Sequence, residues 1–491
     1  MNAEGALAPW FRREGLALLT DFYQLTMAAG YLKEGRESDA VCFEYFFRDL
    51  PPHAGFAVTA GLEPFLGYLA NLRFAAGDID YLRSLGLFDD VFLDYLRDFR
   101  PRCAVRAMPE GTLAFPHEPI MQVEGPLAET QLIETALLNI INHQTLIATK
   151  AARVCLAADG DPVLEFGLRR AHGPDGGISG SRAAYIGGCA STSNVLAGKA
   201  YGIPVSGTHA HSWVMSFDSE ADAFRRFARI YPGRCILLVD TYDTLESGVP
   251  NAIKVFKEFR DAGQEIRPAI RLDSGDLAKL SKRAHAMMTD AGLTDPLIVA
   301  SNDLDEDLIA DLKRQGAKIN AWGVGTHLIT AYDSPALNGV YKLVSKEHNG
   351  HWSPRMKISS NMAKATDPGR KNVVRYYNDH GHPVADVLFE EGEAWPEHGP
   401  VTGRRRGLPH LPVRIRDAKV GKPLLQPVFH NGEPTQDSPA VEAIRERAQE
   451  GIARLPDEYK RLRNPEIYAV ALSERIGDMK EALLESPELT G

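Results

Sequence analysis

The sequence predicts an α/β protein whose middle part is a barrel-like sheet, and two observations predict it. Short β-rich apolar runs alternate with helical patterns from Pro162 to Val344, at spacings of roughly 25 to 40 residues, the length of a β-α unit. Each run also ends in polar or glycine residues: Gly167 to Arg170, Thr208 to Ser212, Asp240 to Asp243, Asp273 to Asp276, Ser301 to Asp303, and Gly325 to Thr326. Reactive side chains at the C-terminal ends of six parallel strands describe a barrel-like sheet with one active face. An open doubly wound sheet would gather them near a single switch point.

In chain order, the expected strands are Pro162–Phe166, Pro204–Gly207, Cys235–Val239, Ala269–Leu272, Leu297–Ala300 and Ala321–Val324. Between them, Phe224, Phe227, Ala228 and Tyr231 recur at helical spacing behind Asp218 or Ser219 as N-caps. Ala252, Val255, Phe256 and Phe259 repeat that pattern and stop at Gly263, and Leu304, Leu308 and Leu312 do so before Gly316. One apolar face per helix suits packing on a parallel sheet. The barrel is assigned to residues 141–345, between an N-terminal domain over 1–140 and a C-terminal segment over 346–491. Lys357 to Arg375 is basic and carries the turn signal Asp367-Pro368-Gly369, so a loop is expected there. Arg404-Arg405-Arg406 reads as a solvated loop. Near the end, Ile444, Ala448 and Ile452 share a helical face, and a second helix is expected near Glu474 to Leu484.

The 491 residues are 44% hydrophobic and 24% charged, which excludes a disordered or fibrous chain. With 55 basic and 65 acidic side chains the formal charge is −10, which disfavours a protein devoted to gripping nucleic acid. No apolar run is long enough to span a membrane, and Met1 to Gly15 lacks the pattern of a secretion signal. The five cysteines are scattered with no C-x-x-C pair, so a reduced, cytoplasmic protein is expected.

Four strand-end clusters carry the chemistry. Arg169 and Arg170, ahead of glycine-rich turn residues, suit a multiply charged anion such as a phosphate; a surface turn with ion-paired arginines is the plainer reading. In Gly207-Thr208-His209-Ala210-His211-Ser212, His209 and His211 alternate on an extended chain and can share a metal. An imidazole there can instead attack a phosphoryl donor, or sit hydrogen-bonded in the core. Arg271 suits a bidentate pair with a carboxylate. Asp273 and Asp276 suit Mg²⁺ or ribose hydroxyls, while Ser274 or Asp273 also reads as a helix cap. Gly323, Gly325 and Thr326 describe a phosphate cradle or tight sheet packing. Tyr23, in Leu19–Met27, stands in an ordinary helix start.

Together these segments resemble the nicotinate phosphoribosyltransferase family. Leu19–Met27, Phe166–Gly177, Ser193–Gly198, Gly207–Ser212, Arg271–Asp276 and Gly323–Thr326 follow in family order, as do Tyr341–Val344, the Lys357–Lys371 loop and Asn464-Pro465. The resemblance implies a type II phosphoribosyltransferase fold, an irregular α/β barrel beside a second α+β domain built from the N- and C-terminal segments. It implies an enzyme that forms a C–N bond between nicotinate and 5-phosphoribosyl-1-pyrophosphate in NAD salvage, with Mg²⁺ and with ATP as co-substrate. It also implies a homodimer with shared active sites. On this resemblance His211 is the phosphorylated histidine, and Tyr23 and Thr208 contact nicotinate, Tyr23 from the partner subunit. Arg271 holds the pyridine carboxylate, Thr326 with Gly323 and Gly325 the 5′-phosphate, and Phe166 the ring. Arg169 and Arg170 meet the leaving phosphates, while Asp273 and Asp276 orient ribose and Mg²⁺. Rivals are the nicotinamide-using relative, a metal-dependent hydrolase on His209, His211, Asp240 and Asp273, and an inactive phosphate-binding scaffold.

Overall fold

A computed structural model describes residues 15–357 and 365–485. Nearly all of Met1 to Gly15, and positions 358–364 of the basic segment, lie outside the described residues. The fold is mixed α/β and divides into two compact units, Lys150–Pro335 and Met1–Thr149 with Ala336–Gly491.

The central unit holds six short strands: β1 (Val163–Glu165), β2 (Ser191–Thr192), β3 (Leu237–Leu238), β4 (Ala269–Leu272), β5 (Leu297–Ala300) and β6 (Ala321–Val324). All pair in parallel, in the order β2-β1-β6-β5-β4-β3. Their side chains are almost all buried, which is why they read as apolar runs without alternation. The Pro204–Gly207 run contributes only a single bridge, Val205 to Thr192. Pro204 has no N–H to donate and Gly207 no side chain to pack, so the ladder stops there. The first strand pairs with the last, Glu165 lying opposite Val324. Every segment therefore meets its neighbour in sequence except one pair, Val205 and β3.

The helices follow the predicted faces with two corrections: Tyr231 lies just past its helix and is exposed, and Leu308 faces outward. α1 (Glu220–Ile230) starts at Ser219, whose hydroxyl accepts from the Asp222 N–H at 3.2 Å, and it buries Phe224 and Ala228. α2 (Val249–Asp261) buries Ala252, Val255, Phe256 and Phe259. α3 (Leu277–Asp290) follows β4. In α4 (Glu306–Arg314) the inward residues are Ile309 and Leu312, while Leu308 is exposed and Leu304 precedes the helix. Asp305 sets that phase by capping the Leu308 N–H at 2.8 Å.

The other unit takes strands from both ends of the chain. Ala40–Phe47 pairs antiparallel with both Met121–Pro126 and Gly339–His348 in a seven-stranded sheet. A six-stranded sheet is formed by residues beyond 370. The expected loop through Arg375 is partly a strand, Lys371–Tyr377, because Val374 and Tyr376 pack into that sheet's core. The arginine triplet is not a solvated loop. Arg404 donates to Glu474, Asp478 and Glu481, and Arg406 pairs with the buried Asp367 at 2.6 Å. Both C-terminal helices form, as Val441–Arg454 and Glu474–Glu485.

Candidate active site

The C-terminal ends of the parallel strands converge on Arg271, in β4. Its guanidinium donates from Nε to Ser301 Oγ at 2.7 Å, from Nη1 to Thr208 Oγ1 at 2.8 Å, and from Nη2 to Asp273 Oδ1 at 2.7 Å. A guanidinium has five N–H donors, so two remain for a ligand. The side chain is only 15% exposed, so a charge brought against it meets little competing water.

Asp273 is held in turn. Ser301 donates its hydroxyl to Oδ1 at 2.5 Å, and Oδ2 lies 3.7 Å from His211 Nε2. Burial raises the Asp273 carboxyl, but the Ser301 hydrogen bond and the Arg271 charge outweigh it and hold the group below its ordinary value. Asp240, just past β3, accepts the Asp273 N–H at 2.8 Å and the Ser274 hydroxyl at 2.7 Å on Oδ2. Its Oδ1 is buried with no hydrogen-bond partner among the described residues. His211 opens the short helix His211–Met215, with Nδ1 3.2 Å from Thr241 Oγ1 and a half-exposed ring.

Phe166 lies beside this cluster, its ring centroid 5.9 Å from the Arg271 guanidinium carbon. Gly323 makes room for it, since a Cβ there would stand 2.8 Å from two ring carbons. Gly325 is less tight, with a Cβ 3.3 Å from the Phe166 carbonyl oxygen. Thr326 begins the turn Thr326–Ile329 at the end of β6. Glu165, fully buried, accepts from the Gly167 N–H, from Ser181 Oγ at 2.9 Å and from Thr192 Oγ1 at 2.5 Å. It thereby fixes the turn that carries Arg169 and Arg170. Those two arginines are exposed on the turn Leu168–Arg170 and form no ion pair among the described residues.

The structure thus joins Thr208, His211, Arg271 and Asp273 by direct contacts, sets Phe166 beside Arg271 with Gly323 and Gly325 packed on Phe166, and places Arg169, Arg170, Asp276 and Thr326 at the ends of the same parallel strands. Asp276, rather than Ser274 or Asp273, caps α3, accepting the Lys279 N–H at 3.0 Å. Tyr23 belongs to the other unit, on the helix Phe22–Lys33, and is 48% exposed. Sequence reading gave Ser301 and Thr241 no role; their position directly after an apolar run was the available signal. A metal site on His209 and His211 is excluded by hydrogen bonding. Both His209 nitrogens face backbone groups, Leu238 N at 3.1 Å and Ala210 O at 3.3 Å.

A parallel α/β sheet whose strand ends present an arginine with spare donors, an ionised aspartate and an accessible histidine defines an enzyme for small anionic substrates. Comparison narrows the class. Models of the nicotinate phosphoribosyltransferase N-terminal domain, family and C-terminal domain match residues 18–142, 163–390 and 370–480. The nicotinate phosphoribosyltransferase of Bacillus subtilis is 47% identical over 97% of this chain and 99% of its own length. The human one is 36% identical over 97% and 98%. The crystal structure of human nicotinic acid phosphoribosyltransferase superposes with a TM-score of 0.82 at 35% identity, covering 94% of this chain and 99% of that one. A nicotinate-nucleotide pyrophosphorylase from Pyrococcus furiosus shares the fold, with a TM-score of 0.69 at 24% identity over 92% of this chain and 99% of that one. The chain belongs to the nicotinate phosphoribosyltransferase family.

Proposed function

We propose that this enzyme joins nicotinate to 5-phosphoribosyl-1-pyrophosphate in NAD salvage, giving nicotinate mononucleotide and pyrophosphate, with ATP hydrolysis coupled through phosphorylation of His211. The observation that carries the reading is the contact between Arg271, Thr208, Asp273 and His211. The two spare Arg271 donors match a pyridine carboxylate, and Phe166 offers a ring face beside them. The ring nitrogen attacks the anomeric carbon as its bond to pyrophosphate oxygen breaks, so positive charge grows on the sugar. Orientation by the pocket and fixed dipoles supply most of the acceleration. Arg169 and Arg170, exposed and without ion pairs among the described residues, take the leaving phosphates in this reading. Thr326, with Gly323 and Gly325, takes the 5′-phosphate, and Asp276 orients the ribose. A neutral amide in place of the carboxylate leaves Arg271 underpaired at a cost of about 2–5 kcal/mol, which argues against the nicotinamide relative.

His211 is accessible enough to attack the terminal phosphorus of ATP, breaking its bond to the bridging oxygen and releasing ADP. Asp273 facing Nε2 favours the tautomer with its proton there, leaving the lone pair on Nδ1. The donor set also fits one Mg²⁺. Among the described residues Asp273 Oδ2 accepts no hydrogen bond, and Asp240 Oδ1 is buried without a partner. Asp273 would hold the ion, which supplies charge neutralisation for phosphates when bound. Further parts of the reading are a homodimer with shared sites, Tyr23 serving the partner subunit's pocket, and a cytoplasmic location. None of the five cysteines is in a disulfide, which supports the last. We include an irregular barrel around the site, supported by the β1–β6 pairing that joins first and last strands.

The test is incubation with nicotinate, the phosphoribosyl donor and Mg²⁺, with and without ATP, followed by mass measurement. Nicotinate mononucleotide is expected, at a higher yield with ATP; nicotinamide outcompeting nicotinate would refute the reading. His211→Ala is expected to abolish ATPase activity and the acid-labile phosphoryl label while some ATP-independent transfer persists. A label surviving in that variant removes His211 from the reaction.

A further inference from the structure

The parallel sheet has one seam, between Val205 and β3, and a side chain crosses it. Val205 bonds outward to β2 alone, through Thr192 N to Pro204 O and Ser206 N to Thr192 O, both at 3.0 Å. On the other side, β3 pairs among the described residues with β4 alone, where Val239 N donates to Arg271 O at 3.2 Å. The Leu238 N–H alternates with that bond and so points into the seam, away from any strand. It is buried, and a buried N–H left unpaired is costly. Its partner is the imidazole of His209, whose Nε2 accepts it at 3.1 Å.

The ring's own partners define its state. Nε2 faces a donor and is bare; Nδ1 faces the Ala210 carbonyl at 3.3 Å and carries the proton, so the ring is neutral. Phe227 packs edge-on at 4.7 Å between centroids, and the residue is 7% exposed. Burial, the largest cause, together with the Arg271 and His211 charges moves this imidazole down to about 4, against a smaller upward pull from the Ala210 hydrogen bond.

Leu238 and Arg271 are register partners across β3 and β4. The segment entering the site grips that rung twice. His209 takes the Leu238 backbone N–H, and its neighbour Thr208 takes Arg271 Nη1 at 2.8 Å while donating to the His209 carbonyl at 3.0 Å. His211 follows two residues on. We propose that His209 is a positioning residue that clasps Thr208–His211 to the β3–β4 rung, fixing Thr208 against Arg271 and His211 against Asp273. It touches no substrate and acts through these neighbours; its effect on nicotinate rests on the function proposed above.

The test compares three variants of the full chain that differ in reach. His209→Gln places an acceptor near the position of Nε2, His209→Asn stops about one atom short, and His209→Leu keeps the bulk without any acceptor. Hydrogen–deuterium exchange of peptides spanning Leu238 reads the seam directly, and steady-state kinetics reads the site. Expected are near-parental protection and a nicotinate KM within about threefold for Gln, against lost protection and a KM raised about tenfold or more for Asn and Leu, with kcat changed less. Parental protection and KM in the Asn and Leu variants would overturn the assignment. So would protection lost at an unchanged KM, or a Gln variant as impaired as Leu. If the parent makes no nicotinate mononucleotide, the catalytic reading falls, and the exchange comparison still decides whether His209 seals the seam.

Discussion

Removing the Arg271 guanidinium deletes bonds to Ser301, Thr208 and Asp273 together with the two donors left for a ligand. Arg271→Ala is therefore expected to raise the nicotinate KM on the order of a hundredfold, since a carboxylate loses a buried counter-charge there. ATP hydrolysis should be largely spared, because His211 keeps Thr241 and Asp273. An unchanged KM would take Arg271 out of the pocket. At this scale the sequence was informative about residue type and silent about partners. An arginine in a short apolar run, ahead of polar residues, is visible in a string of letters; that Ser301, some thirty positions on, accepts from its Nε is not. His209 is the sharper case, because a metal ligand, a core residue and a nucleophile share one appearance until the Leu238 N–H supplies its partner.

Among the elements, α3 tests whether a residue can serve local structure and the site at once. Asp276 caps that helix through the Lys279 N–H and is exposed. Asp276→Ala is expected to cost about 1 kcal/mol of stability, as loss of an N-cap does. Asp276→Asn keeps the accepting oxygen and removes the charge. Its melting temperature should stay near the parent's while the KM for the phosphoribosyl donor rises several-fold. If Asn leaves that KM unchanged, Asp276 is a cap and nothing more. Helix faces were legible because burial imposes a period near 3.6, and the miss in α4 was one of phase. Asp305 begins that helix where Leu308 faces out and Ile309 faces in.

Across the whole molecule, the unit formed by both chain ends contains a buried charge network. Arg375 pairs with Asp386, from Nη2 at 2.6 Å and from Nε at 2.9 Å, and donates to the Leu113 carbonyl at 2.9 Å. Tyr468 donates to Asp386 at 3.0 Å, and Glu118 lies 3.7 Å from Arg375. Burial, then the nearby Asp386 carboxylate, pushes Glu118 well above the ordinary carboxylate range. Asp386→Ala leaves a buried guanidinium without its main counter-charge and is expected to lower stability by about 3–5 kcal/mol, read as a drop in the urea midpoint. A midpoint within experimental error of the parent's would show the network to be dispensable. Arg406, Lys480 and Asp367 obey the same rule, and these partners lie tens of positions apart.

The sequence by itself determined the alternation of strands and helices, the strand ends at which reactive side chains gather, and the family, because periodicity and motif order are local properties of a chain. Tertiary structure decided which residues share a hydrogen bond. It drew Thr208, Ser301 and Asp273 onto one guanidinium, gave Arg404 and Arg406 carboxylate partners, and set His209 across a rung of the sheet that lacked a strand. Burial makes those pairings obligatory, since a polar group removed from water must find a partner, and which partner stands within three ångströms depends on how distant segments pack.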